Sequence, residues 1–147
     1  MSALTFILVV LVAFIAGVAS VVDERQFHRP LVACTLMGFA LGDPTTGIML
    51  GGALELIALG WMNVGAAMAP DSALASTISA VVVIQGHQDI TTGIAIAVPL
   101  AAAGQVLTIF VRTITVFFQH QADNFAKTAN FRGIELMHIS GMALQGL

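Results

Sequence analysis

Asp43-Pro44-Thr45-Thr46-Gly47-Ile48 closes one apolar run, Leu31 to Leu41, and opens another, Gly47 to Ala69. The first run holds 11 residues. At about 1.5 Å per helical residue it is too short to cross a hydrocarbon core about 30 Å thick. The second is long enough to span. Between them Asp and Pro have their ordinary turn-forming roles. The same pattern returns 46 residues later: Leu74 to Ile84 is short, Gln85-Gly86-His87-Gln88-Asp89 is polar, and Ile90 to Phe118 is long. Asp89-Ile90-Thr91-Thr92-Gly93-Ile94 repeats the first turn with five identities in six positions. A short apolar segment, a turn and a long segment make a hairpin that enters the membrane without fully crossing, or a broken helix. Irregular backbone at that depth is tolerated only against protein or a water-filled cavity. Two such segments in corresponding positions point to a transporter-type binding site. The competing reading is a pair of short core helices in a tightly packed bundle.

Composition agrees with a membrane setting. Of 147 residues, 58% are hydrophobic and 9% charged, against roughly 25% charged in a soluble domain, and the mean hydropathy is +0.96. The expected fold is therefore an all-α polytopic membrane protein with two short or re-entrant helical hairpins forming a repeat. Ala3 to Val22 is uncharged and 20 residues long. No Lys or Arg precedes it and it exceeds a signal-peptide core of roughly 7 to 15 residues, so a retained first span is expected rather than a cleaved signal. Asp23 to Pro30 forms a polar interfacial turn, with Pro30 suited to the first position of the next helix. Gln119 to Gly133 interleaves Asp123, Asn124, Lys127, Asn130 and Arg132 with Phe125 and Phe131, as expected for an amphipathic segment lying on the membrane surface. Apolar character resumes at Ile134 and is cut off at Leu147, which suggests a truncated sequence. Arg112, Lys127 and Arg132 compete with Arg25 and Arg29 for the cytoplasmic side, so the charge pattern leaves orientation open.

A net charge of -3 without a basic cluster gives no footprint for nucleic acid. The single Cys34 supports neither a disulfide framework nor a thiolate metal site and is expected to be a small buried residue. The sequence contains no zinc-type His-Glu-x-x-His, no Gly-x-Ser-x-Gly and no Gly-rich phosphate loop. The four histidines do not cluster, and His28 reads first as an interfacial residue.

Intramembrane polar residues carry the functional signal. Glu55 sits near the middle of an apolar run, where an ionised side chain costs about 2.5 to 3.5 kcal/mol. It is either protonated and bonded to a neighbouring helix, or a substrate ligand in a polar cavity. Trp61 and Asn63 lie roughly 240° and 80° around a helix from Glu55, so one straight helix does not aim all three at one point; a break near Gly60 and Gly65 is needed. Trp61 suits either an interfacial anchor or an apolar platform for a sugar ring, with Asn63 and Glu55 bonding hydroxyls. Asp71 reads as an N-cap of the second short helix, facing a cavity if that helix starts inside the membrane. Gln105 serves equally well as an interhelical hydrogen bond or a ligand contact, and Arg112 is expected to snorkel to the interface. Gly38, Gly42, Gly47 and Gly51 have the spacing that lets helices approach closely.

Four long motifs carry a family likeness: Asp-Glu-Arg-Gln-Phe-His-Arg-Pro-Leu-Val-Ala-Cys-Thr (23–35), Gly-Gly-Ala-Leu-Glu-Leu-Ile-Ala-Leu-Gly-Trp-Met-Asn-Val-Gly-Ala-Ala (51–67), Ala-Pro-Asp-Ser-Ala-Leu-Ala-Ser (69–76) and Pro-Leu-Ala-Ala-Ala-Gly-Gln-Val-Leu-Thr (99–108). Together they resemble the enzyme IIC subunit of the mannose/fructose/sorbose-type bacterial sugar phosphotransferase system, over about Val10 to Asp123. Family members are longer, so residues 1–147 are expected to be the amino-terminal part of one IIC membrane domain, with repeat units near 31–69 and 74–118. The resemblance implies a multi-pass subunit of the bacterial cell membrane that joins a membrane partner, enzyme IID, and a cytoplasmic partner, enzyme IIAB, in homo-oligomers of IIC–IID units. It further implies that a mannose- or glucose-type hexose is phosphorylated as it enters, that the phosphate-carrying histidines belong to IIAB and the general carrier protein, and that no cofactor or metal ion is involved. Related permeases have elevator-like domains of inverted repeats, and family members serve as docking sites for some bacteriocins. Carried over position by position, the resemblance makes Gln26, Glu55, Trp61, Asn63 and Asp71 candidate sugar contacts, with Asp23, His28 and Gln105 beside them. The alternative is a structural membrane scaffold that only holds partner subunits.

Overall fold

The structure is a computed structural model describing residues 2–22, 26–65 and 68–146. Among these residues six helices follow one another: α1 (Ala3–Val22), α2 (Pro30–Leu41), α3 (Pro44–Ala58), α4 (Ser72–Gln85), α5 (Ile90–Lys127) and α6 (Phe131–Gly146). Among the described residues, α1 and α5 are long and apolar enough to cross a membrane, while α2, α3 and α4 are shorter apolar helices. Large apolar side chains such as Phe6, Ile7, Leu107 and Phe110 stand exposed on α1 and α5, the surface expected of helices that face lipid.

The first turn folds as its residues require. Pro30 occupies the first turn of α2, and the helix stops at Gly42, whose φ of 87° suits glycine. The Asp43 N–H bonds back to the Gly38 carbonyl at 2.9 Å. Asp43 then caps α3, accepting from Thr46 N at 3.1 Å and from Thr46 Oγ1 at 2.6 Å, with Pro44 just inside the helix. The two helices pack antiparallel and almost without side chains between them. A Cβ on Gly47 would lie 2.5 Å from the Cys34 carbonyl oxygen, and one on Gly51 would lie 2.9 Å from that of Pro30. Gly38, Gly47 and Gly51 thus make the close approach the glycine spacing predicts, while Gly42 faces open space and serves the turn.

Two expectations need correction. Gly47 to Ala69 is not one long helix: α3 ends at Ala58 after 15 residues, roughly 22 Å of rise. The Trp61 N–H turns back to the Ala58 carbonyl at 2.9 Å. Within the helix-free stretch Gly60 and Gly65 flank Trp61 and Asn63, with Gly65 at a φ of 60°. The first unit is therefore a hairpin of two short helices, and the break demanded by Glu55, Trp61 and Asn63 falls between the first residue and the other two. The second correction concerns residues 119–133. The stretch is not a segment of its own: α5 continues through Gln119 to Lys127, and a turn with Ala129 at a φ of 52° leads into α6. The polar residues of α5 share the helix with Phe125, which packs against Gly133 of the returning α6. The far end of α6 meets α1, where a Cβ on Gly17 would lie 3.1 Å from the Gly146 Cα.

Helices α2 and α4 run side by side in the same direction. Ser72 Oγ donates to the His28 carbonyl at 3.2 Å near their starts, and Cys34 Sγ donates to the Ser76 carbonyl at 3.4 Å further along. The core they share contains Cys34, Met37, Leu50, Leu54, Ala75, Ala80, Val83, Ala97 and Ala101; Cys34 is fully buried, as expected of a lone thiol. Ser79 is also fully buried, yet its hydroxyl has no hydrogen-bond partner among the described residues.

Two stability outcomes follow, both read from thermal unfolding in detergent. Gly47→Ala places a methyl group against backbone that has no side chain to move aside, and should destabilise the hairpin by about 1–3 kcal/mol. Ser79→Ala removes an unsatisfied polar group and should leave stability unchanged or raise it by up to about 1 kcal/mol.

Candidate functional site

The parallel arrangement of α2 and α4 brings both of their N-termini to one place, and a cavity of about 380 Å³ opens there. One wall is the turn before α2, with Gln26, His28 and Arg29; a second is the helix-free stretch after α3, with Trp61, Met62 and Asn63. Met68 to Ser72, Thr108 and Arg112 of α5, Ser20 and Val21 of α1, and Gln145 of α6 complete it.

The start of α2 has no side-chain cap of its own. Its orphan N–H groups are served from the neighbouring helix: Glu55 Oε2 accepts from Leu31 N at 3.1 Å, and Oε1 accepts from Arg29 Nε at 2.6 Å. Arg29 Nη2 also contacts Oε1, completing an ion pair in which the Glu55 side chain is 18% exposed. Glu55 therefore stands behind the cavity wall, outside its lining, while Arg29 is in the lining. The offset for an acid on this apolar helix is a cation and a helix start: the side chain is bonded within the protein, as in the first of its two readings, but through an ion pair in place of a protonated carboxyl.

At α4 the cap is local. Asp71 Oδ1 accepts from Leu74 N at 3.0 Å, and Oδ2 accepts from Thr108 Oγ1 at 3.0 Å. One donor on each oxygen leaves each with further accepting capacity, and Asp71 lines the cavity. Asn63 complements it. Its Oδ1 accepts from Ala69 N at 2.7 Å, so the amide is oriented, and the NH₂ end remains as a pair of donors for the cavity. Trp61 packs on the core with part of its surface and lines the cavity with another. The arrangement offers an acceptor-only carboxylate, a donor amide, guanidinium donors and an aromatic surface, a combination suited to a small neutral molecule with several hydroxyls.

Of the eight residues singled out by sequence, five line this cavity: Gln26, His28, Trp61, Asn63 and Asp71. Glu55 and Gln105 do not. Gln105 lies behind the wall, donating through Nε2 to the Met68 carbonyl at 2.7 Å, a structural hydrogen bond to the helix-free stretch in place of the interhelical one that was among its two readings. Asp23 lies outside the described residues. Sequence reasoning missed Arg29, Ser72 and Thr108 as lining residues, and it gave Arg112 to the interface. Residues 105, 108 and 112 share a stripe of α5 at helical spacing, so extending the stripe from Gln105 would have found Thr108 and Arg112.

Comparison with known proteins places this geometry in a family. Residues 3–147 match the family model described as PTS system sorbose-specific IIC component. The fructose permease IIC component of Bacillus subtilis (strain 168) is 65% identical over 147 residues, covering 100% of this chain and 55% of that protein. The PTS system sorbose-specific EIIC component of Klebsiella pneumoniae is 64% identical over 146 residues, covering 99% and 55%. A solved cryo-electron-microscopy structure of the mannose transporter ManYZ in complex with a microcin superposes with a TM-score of 0.96 at 62% identity, covering 99% of this chain and 59% of that one. The chain spans about half the length of the curated relatives it matches. With a family model matched over nearly all its residues, a helical membrane fold and a solved relative that superposes on it, this chain belongs to the sorbose-specific IIC component family of the phosphotransferase system.

Proposed function

We propose that the chain forms the amino-terminal part of a sugar-translocating IIC subunit, and that the cavity between the starts of α2 and α4 holds a hexose of the mannose/glucose class. The observation that carries this reading is the juxtaposition of Trp61, the donor end of Asn63 and the acceptor oxygens of Asp71 around one cavity of about 380 Å³. That volume falls in the range of about 300–1,000 Å³ typical of small-molecule sites. Asn63 donates to a ring or hydroxyl oxygen, Asp71 accepts a hydrogen bond from a hydroxyl, and Gln26 and His28 add polar contacts on the facing wall. Trp61 offers an apolar surface to the C–H face of the ring. In this reading Glu55 acts through Arg29, holding the guanidinium at the cavity wall. Asp23 and Gln105 remain proposed secondary members of the site, Gln105 through the segment it fastens.

The family's division of labour supports the remaining parts of the proposal. The subunit works in the bacterial cell membrane as a multi-pass protein, assembled with enzyme IID into oligomers. It passes sugar inward for phosphorylation by enzyme IIAB, which supplies the phosphate-carrying histidines. A bacteriocin-docking role is proposed on the same footing, since the similar ManYZ structure is a complex with a microcin.

Equilibrium binding of radiolabelled mannose, glucose, sorbose and N-acetylgalactosamine to the purified full-length IIC–IID complex tests the reading. Saturable binding of a hexose is expected; binding of none would favour a scaffold that only holds its partners. Asn63→Asp keeps the acceptor for Ala69 N but replaces two donors by a carboxylate oxygen, and should weaken binding roughly tenfold or more. Glu55→Gln loses the charge that holds Arg29, and should weaken sugar uptake by roughly tenfold, the equivalent of about 1.4 kcal/mol, with membrane insertion intact. Normal uptake in that variant would remove Glu55 from the mechanism.

A further inference from the structure

The segment from Met68 to Asp71 owes its place in the cavity wall to one stripe of α5. Four positions on one face of the helix, 101, 104, 105 and 108, touch it. The Ala101 carbonyl accepts from Asp71 N at 3.0 Å. Gly104 leaves room for the acid, because a Cβ there would lie 2.7 Å from the Asp71 Cβ. Gln105 Nε2 donates to the Met68 carbonyl at 2.7 Å. Thr108 Oγ1 donates to Asp71 Oδ2 at 3.0 Å. The first three fix the backbone and the Cβ; Thr108 alone among them bonds the carboxylate.

This difference matters to what Asp71 can recognise. Leu74 N holds Oδ1, but one hydrogen bond leaves the carboxylate plane free to turn about the bond to Cβ, whose rotation is soft for an sp³–sp² torsion. A second donor on Oδ2 pins the plane. The lone pairs left on both oxygens then have defined directions, and a hydroxyl's orientation can be read only by an acceptor whose direction is defined. Thr108 also lines the cavity itself, with its proton committed to Asp71 and its oxygen lone pairs available as acceptors.

We infer that Thr108 is a positioning residue for substrate recognition, setting the plane of the Asp71 carboxylate toward the hydroxyls of a neutral polyhydroxylated ligand. The inference rests on the hexose reading of the cavity. It makes the Thr108 hydroxyl, rather than its methyl group or its place in α5, the feature on which affinity depends.

The test uses the full-length IIC–IID complex, with equilibrium binding of radiolabelled hexose and uptake kinetics measured together, and the thermal midpoint as a check on folding. Thr108→Val, which keeps the shape and removes the donor, should raise Kd and KM about tenfold while the maximal rate and thermal midpoint stay near wild type. Thr108→Ser should restore both to within about twofold of wild type. Should the valine variant fail to insert, Thr108→Ala removes the donor without branched bulk and carries the same expectation. Wild-type affinity in the valine or alanine variant overturns the inference, as does a serine variant as impaired as valine. A parallel fall of maximal rate and thermal midpoint with unchanged KM overturns it in favour of a packing role. Absence of hexose binding by the wild-type complex instead overturns the cavity reading itself, and this inference with it.

Discussion

Helices α2 and α4 both start beside the same cavity, and the N–H groups of a first helical turn have no carbonyl within the helix to bond. Away from bulk water those groups need acceptors, and carboxylates serve best because they also complement the positive end of the helix dipole. The chain supplies one to each helix by a different route. Asp71 caps α4 from the residue before it, whereas Glu55 reaches the start of α2 from the neighbouring α3. The second route requires α3 to run back along α2 at close range. Gly47 and Gly51 provide that closeness, so the glycine contacts and the acid form one construction.

The same two carboxylates define what kind of chemistry the cavity offers. Glu55 is consumed by Arg29 and Leu31, leaving the cavity a guanidinium with a fixed base. Asp71 is only partly consumed and keeps accepting capacity. Asn63 is oriented by Ala69 so that its donors remain. Polar groups are thus half-satisfied by the protein in a complementary way: acceptor capacity on one wall, donors on the others. A ligand with hydroxyls can satisfy both; water can do so too, which makes a wet cavity at this position tolerable.

The end of α3 at Ala58 has a functional consequence. Had the helix continued through Trp61 and Asn63, their side chains would have pointed in different directions around its axis. Leaving the helix before them lets both turn toward the cavity that Asp71 enters from the other side. The cost is exposed backbone in the helix-free stretch, partly met by Trp61 N bonding Ala58 and by Ala69 N bonding Asn63. Non-helical backbone beside a polar cavity is where such a stretch is tolerated in a membrane protein.

The sequence alone determined the membrane class, the all-helical fold, the two short segments, the turn at Asp43, the cap at Asp71 and the need for a break near Gly60. These are local matters: run length against bilayer thickness, turn residues, and the angular spacing of side chains on a helix. It also singled out five residues that the fold gathers around one cavity. Only the tertiary structure decided that Glu55 serves Arg29 and the start of α2, that Gln105 holds Met68, and that Thr108 completes Asp71. Each of these assignments joins residues 24 or more positions apart, and a polar side chain's partner depends on which helices lie side by side. The continuation of α5 through Lys127 was hidden for the same reason. Its polar residues read as a surface segment until α6 folded back and gave Phe125 something to pack against.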